Sequence, residues 1–249
     1  MTRQAEHRFY AFPTGVFAGI EKTMRMPYPF LGHCICLMPT MIFLGCVRVV
    51  IGPEDAVFAY FTSIRQANPS LTLAVAAFTH GVLFVFYPVY AFFLAWGLRG
   101  KRPADVLFAL CYVAAQILIA ALLCRLIKIA VGRPRPMTGG PFVPFSFGWG
   151  YQSFPSGHTA EALGSSLPFI WRYAGASPLL MPLLFGILLA AVAFTRVYLG
   201  MHHPTDIWGG LVFGSLSGYA SWTFYGFMLT RWQRFLPDRL RARMETAGE

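Results

Sequence analysis

The sequence predicts an all-α integral membrane protein, a bundle of six transmembrane helices. Hydrophobic residues make up 56% of the 249 residues, whereas charged residues make up only 12%. A soluble domain of this length carries about a quarter charged residues. The mean hydropathy is +0.55, and the apolar residues are gathered into long uninterrupted stretches. Lipid is the solvent that suits such a composition.

The predicted spans follow from the roughly 20 mostly apolar residues that a helix needs to cross a bilayer. They occupy residues 31–51, 71–98, 106–130, 158–174, 178–199 and 207–229. The fourth span is short and begins beside a polar motif. The sixth is rich in Gly and Ser, which favours close helix packing over exposure to lipid.

The chain contains one membrane domain, because no polar segment is long enough to form a second. This domain covers residues 31–230. Residues 1–30 are aromatic and basic, as expected for a segment that lies on the membrane surface. Residues 231–249 form a basic tail.

The net charge of +10 is distributed in a way that argues against nucleic acid as a partner and for a membrane orientation. Basic residues cluster in the head and tail, beside apolar segments. With both termini in the cytoplasm, 13 of the 20 Lys and Arg residues lie on the cytoplasmic side. The loops 131–157 and 200–206 then face outward. A loop as long as the first is usually functional or disordered.

The five cysteines all lie in apolar stretches. Their odd number and the lack of a Cys-x-x-Cys pair argue against a disulfide framework and a zinc site. We expect them to be packing residues.

Three polar clusters are predicted to meet on the outer face, where four of the spans begin or end. They occur in the stretches RLIKIAVGRPRP, SFPSGHTAEA and TRVYLGMHHPTD. Their members are Lys128, Arg133 and Arg135; Ser156, Gly157 and His158; and Arg196, His202, His203 and Asp206. Lysine and arginine bind phosphate oxygens, and helix N-termini attract anions. Two histidines and a carboxylate add groups suited to nucleophilic and acid–base catalysis. The inventory therefore favours a phosphate as ligand.

The spacing of these residues resembles a known family. Lys128–x6–Arg135–Pro136, Pro155–Ser156–Gly157–His158 and Arg196–x5–His202–x3–Asp206 are similar to the three-part signature of the type 2 phosphatidic acid phosphatase (PAP2) superfamily, in its membrane lipid phosphatase branch. One position departs from the family pattern: Thr195 stands where the family usually has Ser before the arginine.

The resemblance implies a metal-independent phosphatase that needs no cofactor and forms a phosphohistidine. His202 would be the nucleophile, Asp206 would orient it, and His158 would protonate the leaving group. The phosphate would be bound by Lys128, Arg135, Ser156, Gly157 and Arg196. The expected partners are the lipid bilayer, in a bacterial inner membrane, and a lipid phosphate. Phosphatidylglycerophosphate, phosphatidic acid, undecaprenyl diphosphate and lipid A 1-phosphate are all compatible.

Of the two adjacent histidines, only His202 has the spacing of the third motif, so we expect His203 to be a packing or capping residue. Two alternatives to hydrolysis stay open at this point. The same site would suit a lipid phosphotransferase, and His33 and His80 would suit a haem-binding or transport protein. Arg125 is expected to extend to the membrane interface. The sequence assigns no role to Arg133 or Glu161, and it leaves the oligomeric state open.

Overall fold

A computed structural model describes residues 28–100 and 102–233 of the chain. Most of the predicted interfacial segment (1–30) and of the basic tail (231–249) lies outside the described residues, so those two predictions are not tested.

The described part of the chain is all-α, as predicted, and contains no strand. Its helices are α1 (Tyr28–Cys46), α2 (Glu54–Ala67), α3 (Pro69–Gly81), α4 (Phe86–Arg99), α5 (Pro103–Ala115), α6 (Cys124–Val131), α7 (Gly157–Arg172), α8 (Leu180–Tyr198) and α9 (Pro204–Gln233). A π-helical turn, Val47–Ile51, extends α1, and a second one, Gln116–Leu123, joins α5 to α6. A 3₁₀ turn, Val82–Val85, joins α3 to α4. The second and third predicted spans are therefore continuous helical segments.

Within residues 28–100 and 102–233, four helical segments are long and apolar enough to cross a membrane. The chain is an integral membrane protein. These segments are Phe30–Ile51, Pro69–Arg99, Pro103–Val131 and Leu180–Tyr198. The fourth and sixth predicted spans are also helices, but α7 has only 16 residues and α9 is rich in Gly and Ser. Because every residue from Ala162 to Trp171 is buried, α7 presents little surface to lipid and its side chains need not be apolar. Six membrane crossings remain a proposal.

The short helix α2 lies between the first two spans, where the sequence analysis predicted no element. It begins after Pro53 with two acidic residues in its first turn, which favours a helix N-terminus. Val57 and Phe61 are buried against the C-terminal end of α8, near Val197 and Tyr198. This amphipathic helix is too short and too polar to span a bilayer, so a search for spans passes over it.

Helices α7 and α9 pack closely through small residues, as the Gly and Ser content of the sixth span predicted. A Cβ atom at Gly214 would lie 2.8 Å from the carbonyl oxygen of Ala160, and one at Gly210 would lie 2.6 Å from that of Ser156. Ser217 is fully buried in α9. Small residues at these positions let the two backbones approach each other.

Replacing Gly210 with Ala should destabilise the fold by about 1–3 kcal/mol, the usual cost of overpacking. The new methyl group would meet the backbone of Ser156 and the Cβ of Thr159, neither of which is the end of a flexible side chain. Thermal unfolding in detergent would measure the change. Gly45→Ala is the matched control, since a Cβ there would have no atom within 4 Å. Equal midpoints for the two variants would contradict the packing described.

Candidate active site

The three polar clusters meet at one end of the bundle, as predicted. Gly132 ends α6 in a left-handed conformation (φ 58°). A Cβ at this position would lie 1.7 Å from the carbonyl oxygen of Val143, so only glycine fits. The chain turns back here and enters the loop that carries Arg133 and Arg135.

The loop between α6 and α7 is held together by backbone hydrogen bonds near its two ends. The Arg135 N–H donates to the carbonyl of Gly150 at 2.7 Å, and the Ser153 N–H donates to that of Arg133 at 3.0 Å. Apart from a 3₁₀ turn at Trp149–Tyr151, the loop has no regular structure. These bonds place both arginines beside the segment that leads into α7.

Lys128 and Arg125 hold the last part of this loop. The Lys128 Nζ donates to the carbonyls of Gln152 (3.0 Å), Ser153 (3.4 Å) and Pro155. Arg125 donates to the Gln152 side chain at 2.5 Å. Arg125 is itself exposed, so its expected extension to the membrane interface stays a prediction.

Arg135 and Arg196 bring two further cations to the site, and both are buried. Arg135 lies over the Trp149 ring, 4.1 Å from its centroid, and donates to the carbonyl oxygen of Met201 at 3.1 Å. Arg196 contacts Thr79 through Nη1 at 3.3 Å. Its buried Nε has no hydrogen-bond partner within the described residues. Arg196 therefore keeps a donor available for an anion.

The N-terminus of α7 supplies the second cluster. Ser156 precedes the helix and is fully buried; its N–H donates to the Asp206 carbonyl at 2.9 Å. The first N–H groups of a helix have no intrahelical acceptor. A Cβ at Gly157 would lie 3.9 Å from Cε of Lys128, so that cation lies beside the start of the helix. His158 lies in the same first turn.

His202 and Asp206 form a buried pair. The Nδ1 of His202 is 3.5 Å from Oδ2 of Asp206. This nitrogen has no hydrogen-bond partner in the described part of the chain. A movement of a few tenths of an ångström would bring the two atoms to hydrogen-bond distance. The pair leaves Nε2 of His202 as the ring nitrogen that can react.

Asp206 is held by three donors that the signature does not name. Its Oδ2 accepts from the Ser153 hydroxyl at 2.6 Å and from the His203 N–H at 2.8 Å. Its Oδ1 accepts from Arg133 at 2.7 Å. Arg133 also pairs with Glu54 at 2.5 Å. Arg133 thus orients the carboxylate of the pair.

Glu54 links α2 to the start of α9. Its Oε1 accepts from the Thr205 N–H at 3.1 Å and from the Thr205 hydroxyl at 2.5 Å. The sequence motifs gave no indication of Glu54, Ser153 or Thr205. The only local signal for Glu54 was an acidic residue after a proline, which fits any helix start.

The environment of His203 differs from that of its neighbour. Its Nε2 is 3.2 Å from the carbonyl oxygen of Pro134, and its Nδ1 is 3.5 Å from Oε2 of Glu54. These contacts fit a packing role. Within the third motif, His202 is the histidine that lies beside Asp206.

Burial and neighbouring charges set the protonation of the pair. Burial lowers the pKa of His202 to about 3, and the Lys128 cation adds to the effect, although Asp206 opposes it. Burial alone would raise the pKa of Asp206, but His202, Arg133 and Ser153 hold it at about 2. At neutral pH a neutral imidazole therefore faces an ionised carboxylate, the state that a nucleophilic histidine requires.

The fold and the site together define a membrane helix bundle with a cluster of buried cations and a histidine–aspartate pair. The model of the PAP2 superfamily matches residues 106–228. The chain belongs to this superfamily.

Curated relatives are lipid phosphatases. A lipid A 1-phosphatase of Rhizobium etli is 32% identical over 111 residues, 41% of this chain and 44% of that protein. A lipid A 4'-phosphatase of Bacteroides thetaiotaomicron is 29% identical over 204 residues, 78% of this chain and 80% of that protein. A putative undecaprenyl-diphosphatase of Escherichia coli is 28% identical over 185 residues, 70% and 85% of the two chains. The chain thus spans less than half the length of the Rhizobium relative. No solved structure matches the chain significantly.

Proposed function

We propose that the protein is a membrane lipid phosphatase that hydrolyses a lipid phosphate through a phosphohistidine at His202. The observation that carries the proposal is the buried His202–Asp206 pair, in which Nδ1 and Oδ2 lie 3.5 Å apart. Lys128, Arg135 and Arg196 lie at the same end of the bundle. A neutral histidine beside an ionised carboxylate is a nucleophile, and the surrounding cations suit a phosphate. Membership of the PAP2 superfamily supports the same reaction.

In the first step, Nε2 of His202 attacks phosphorus, and the bond between phosphorus and the lipid oxygen breaks. His158 gives its proton to the departing oxygen, so the lipid leaves as a neutral alcohol. Asp206 stabilises the positive charge that develops on the His202 ring. The charge on the transferring phosphoryl group is balanced by the surrounding donors. These are Lys128, Arg135, Arg196, Ser156 and the N–H of Gly157.

In the second step, water attacks the phosphohistidine. His158, now neutral, accepts a proton from the water, the nitrogen–phosphorus bond breaks, and inorganic phosphate leaves. His202 returns to its neutral form and His158 to its protonated form. The scheme uses no metal and no cofactor.

A phosphate in the pocket would compete with backbone carbonyls for two of its proposed ligands. The Lys128 Nζ donates to three carbonyls of the loop, and Arg135 donates to those of Trp149 and Met201. Because a phosphate oxygen carries more negative charge than a carbonyl, it is the stronger acceptor. Substrate binding would therefore draw these side chains away from the loop.

We place the site on the outer face of the inner membrane, with six crossings and cytoplasmic termini. The distribution of Lys and Arg supports this orientation. The Arg172–Asp105 ion pair lies at the opposite end of the bundle, at the end of α7 and the start of α5. Exposed aromatic side chains in the loop before α7 suit the membrane interface. They are Phe142, Phe145, Phe147 and Trp149.

The geometry favours phosphoryl chemistry over a haem or transport site, and the names of the relatives favour hydrolysis over phosphoryl transfer to a lipid. Both ring nitrogens of His33 have local partners, Tyr219 at 3.2 Å and Ser215 at 3.0 Å. His80 is bound to the carbonyl of Ala76 at 2.6 Å. The His33 contacts join α1 to α9, and the His80 contact lies within α3. They lend no support to a haem or transport site.

The proposal is tested by phosphate release from a panel of lipid phosphates in detergent containing EDTA. The panel holds phosphatidic acid, phosphatidylglycerophosphate, a lipid A 1-phosphate and undecaprenyl diphosphate. We expect release from at least one of them, and inhibition by vanadate, which adopts the five-coordinate geometry of phosphoryl transfer. Release from none of them, or activity that EDTA abolishes and magnesium restores, would contradict the mechanism.

The acid limb of kcat/KM should lie well below pH 6.5, because His202 has a lowered pKa and stays neutral in mildly acidic solution. For a histidine with the ordinary pKa, the neutral fraction would fall about thirtyfold at pH 5. Nitrophenyl phosphate is the substrate of choice, since its leaving group needs no proton. The profile is corrected for ionisation of the substrate. A remaining inflection near pH 6.5 would argue against a neutral buried His202.

A further inference from the structure

A groove of about 380 Å³ opens beside Gly157 and His158, at the start of α7. It lies between the start of α4, the end of α5 with its π-helical extension, and the first turns of α7. Its polar lining consists of Tyr87, Tyr112, Gln116, His158 and Glu161. The rest of its wall is largely apolar.

The groove faces the side of the bundle that would contact lipid. Tyr87, Val113 and Ile117 line it and are exposed, and each belongs to a segment apolar enough to cross a membrane. A lipid held in the bilayer could therefore enter the groove from the side. Its headgroup would then meet His158 and the start of α7.

Two hydrogen-bond acceptors lie in this otherwise apolar wall. Glu161 is half-buried, and its carboxylate accepts a hydrogen bond from the Tyr87 hydroxyl. Gln116 has a buried amide oxygen with no partner among the described residues. An ionisable side chain at membrane depth is a candidate for function, because burying it without one is costly. The proposed reaction does not use either residue.

The position of Glu161 relates it to the leaving group. His158 is proposed to protonate the departing oxygen, so the lipid alcohol must lie on the side of His158. Glu161 is three residues further along α7, which corresponds to about 4.5 Å of helix rise. A hydroxyl group three or four bonds from the phosphorylated oxygen, such as the 3-hydroxyl of a glucosamine 1-phosphate, falls within about that distance.

We infer that this groove binds the lipid alcohol of the substrate, and that Glu161 accepts a hydrogen bond from a hydroxyl group close to the phosphorylated oxygen. The inference rests on the proposed phosphatase function. The favoured substrate is a phosphomonoester of a hydroxyl-bearing headgroup, such as a sugar. In a lipid diphosphate the leaving group is itself an anion, which the Glu161 carboxylate repels. A plain alkyl phosphate offers Glu161 no donor.

The test compares kcat/KM of the wild type, Glu161→Gln and Glu161→Ala on three substrates. They are an acylated glucosamine 1-phosphate with free hydroxyl groups, dodecyl phosphate and farnesyl diphosphate. Asp55→Asn, which removes an exposed carboxylate on α2, is the matched control. Removal of a hydrogen bond to a charged group should lower kcat/KM on the glucosamine lipid about tenfold or more.

On dodecyl phosphate, the two Glu161 variants should stay within about twofold of the wild type, a change below what one hydrogen bond contributes. On farnesyl diphosphate, kcat/KM of the two Glu161 variants should equal or exceed that of the wild type. Asp55→Asn should match the wild type on all three substrates. Equal losses on all three substrates would overturn the inference and leave the phosphatase function intact. A wild type inactive on every substrate would overturn both.

Discussion

His202→Ala should lower phosphate release by about 10⁴ or more, the scale on which loss of a catalytic-triad member is felt in serine proteases. The imidazole is the nucleophile that attacks the substrate in the proposed scheme, and a methyl group cannot replace it. His203→Ala should retain most of the activity, because the His203 ring contacts Pro134 and Glu54. The backbone N–H that donates to Asp206 is kept in the variant. Release is measured on the preferred lipid under saturating conditions.

The pair of adjacent variants is its own control, since both remove an imidazole from the same turn. Both should unfold at similar temperatures if the loss in His202→Ala is chemical. The reverse pattern, with His203 essential and His202 dispensable, would overturn the assignment of the third motif.

Asp206→Asn should lower turnover by several orders of magnitude, with about 10⁴ found for the equivalent change in trypsin. An amide cannot stabilise the imidazolium that forms when His202 is phosphorylated. The NH₂ group of the new asparagine would also face hydrogen-bond donors. Ser153, Arg133 and the His203 N–H all donate to the Asp206 carboxylate of the wild type. Single-turnover kinetics would show the loss in the phosphorylation step.

Glu54→Gln should have a smaller effect in the same direction, about tenfold, because Glu54 acts through Arg133 and Thr205. Its neighbour Asp55 is exposed, so Asp55→Asn controls for the loss of an acidic residue from the first turn of α2. Wild-type kinetics in Glu54→Gln would show that the network around Asp206 does not position it.

Much of the fold could be predicted because lipid imposes a strict rule on sequence. A crossing helix needs a long apolar run, and the first, second, third and fifth predicted spans coincide with such segments in the structure. The close packing of α9 could be predicted from its glycine content, and Gly210 and Gly214 lie at the contacts with α7. Helix α2 was missed because its apolar stripe is short and its charges resemble those of a loop.

The motif residues could be found from sequence because the chemistry of phosphate demands cations and histidines at set spacings. The structure brings Lys128, Arg135, Ser156, Arg196 and His202 to one end of the bundle; their roles remain a proposal. The Arg133–Glu54 pair could not be found in this way, since 79 residues separate its members. Only the folded chain shows that Arg133 contacts Asp206. Phosphate binding by Arg133 was left open, and the structure shows a positioning contact instead.

Trapping of the phosphoenzyme tests the central claim most directly. The purified protein is mixed rapidly with substrate, quenched in alkali, which preserves phosphohistidine, digested and mapped by mass spectrometry. The account predicts a burst of phosphorylated protein with the added mass on His202, and none in His202→Ala. A phosphorylated residue other than His202, or full turnover with no phosphoenzyme at any reaction time, would contradict it.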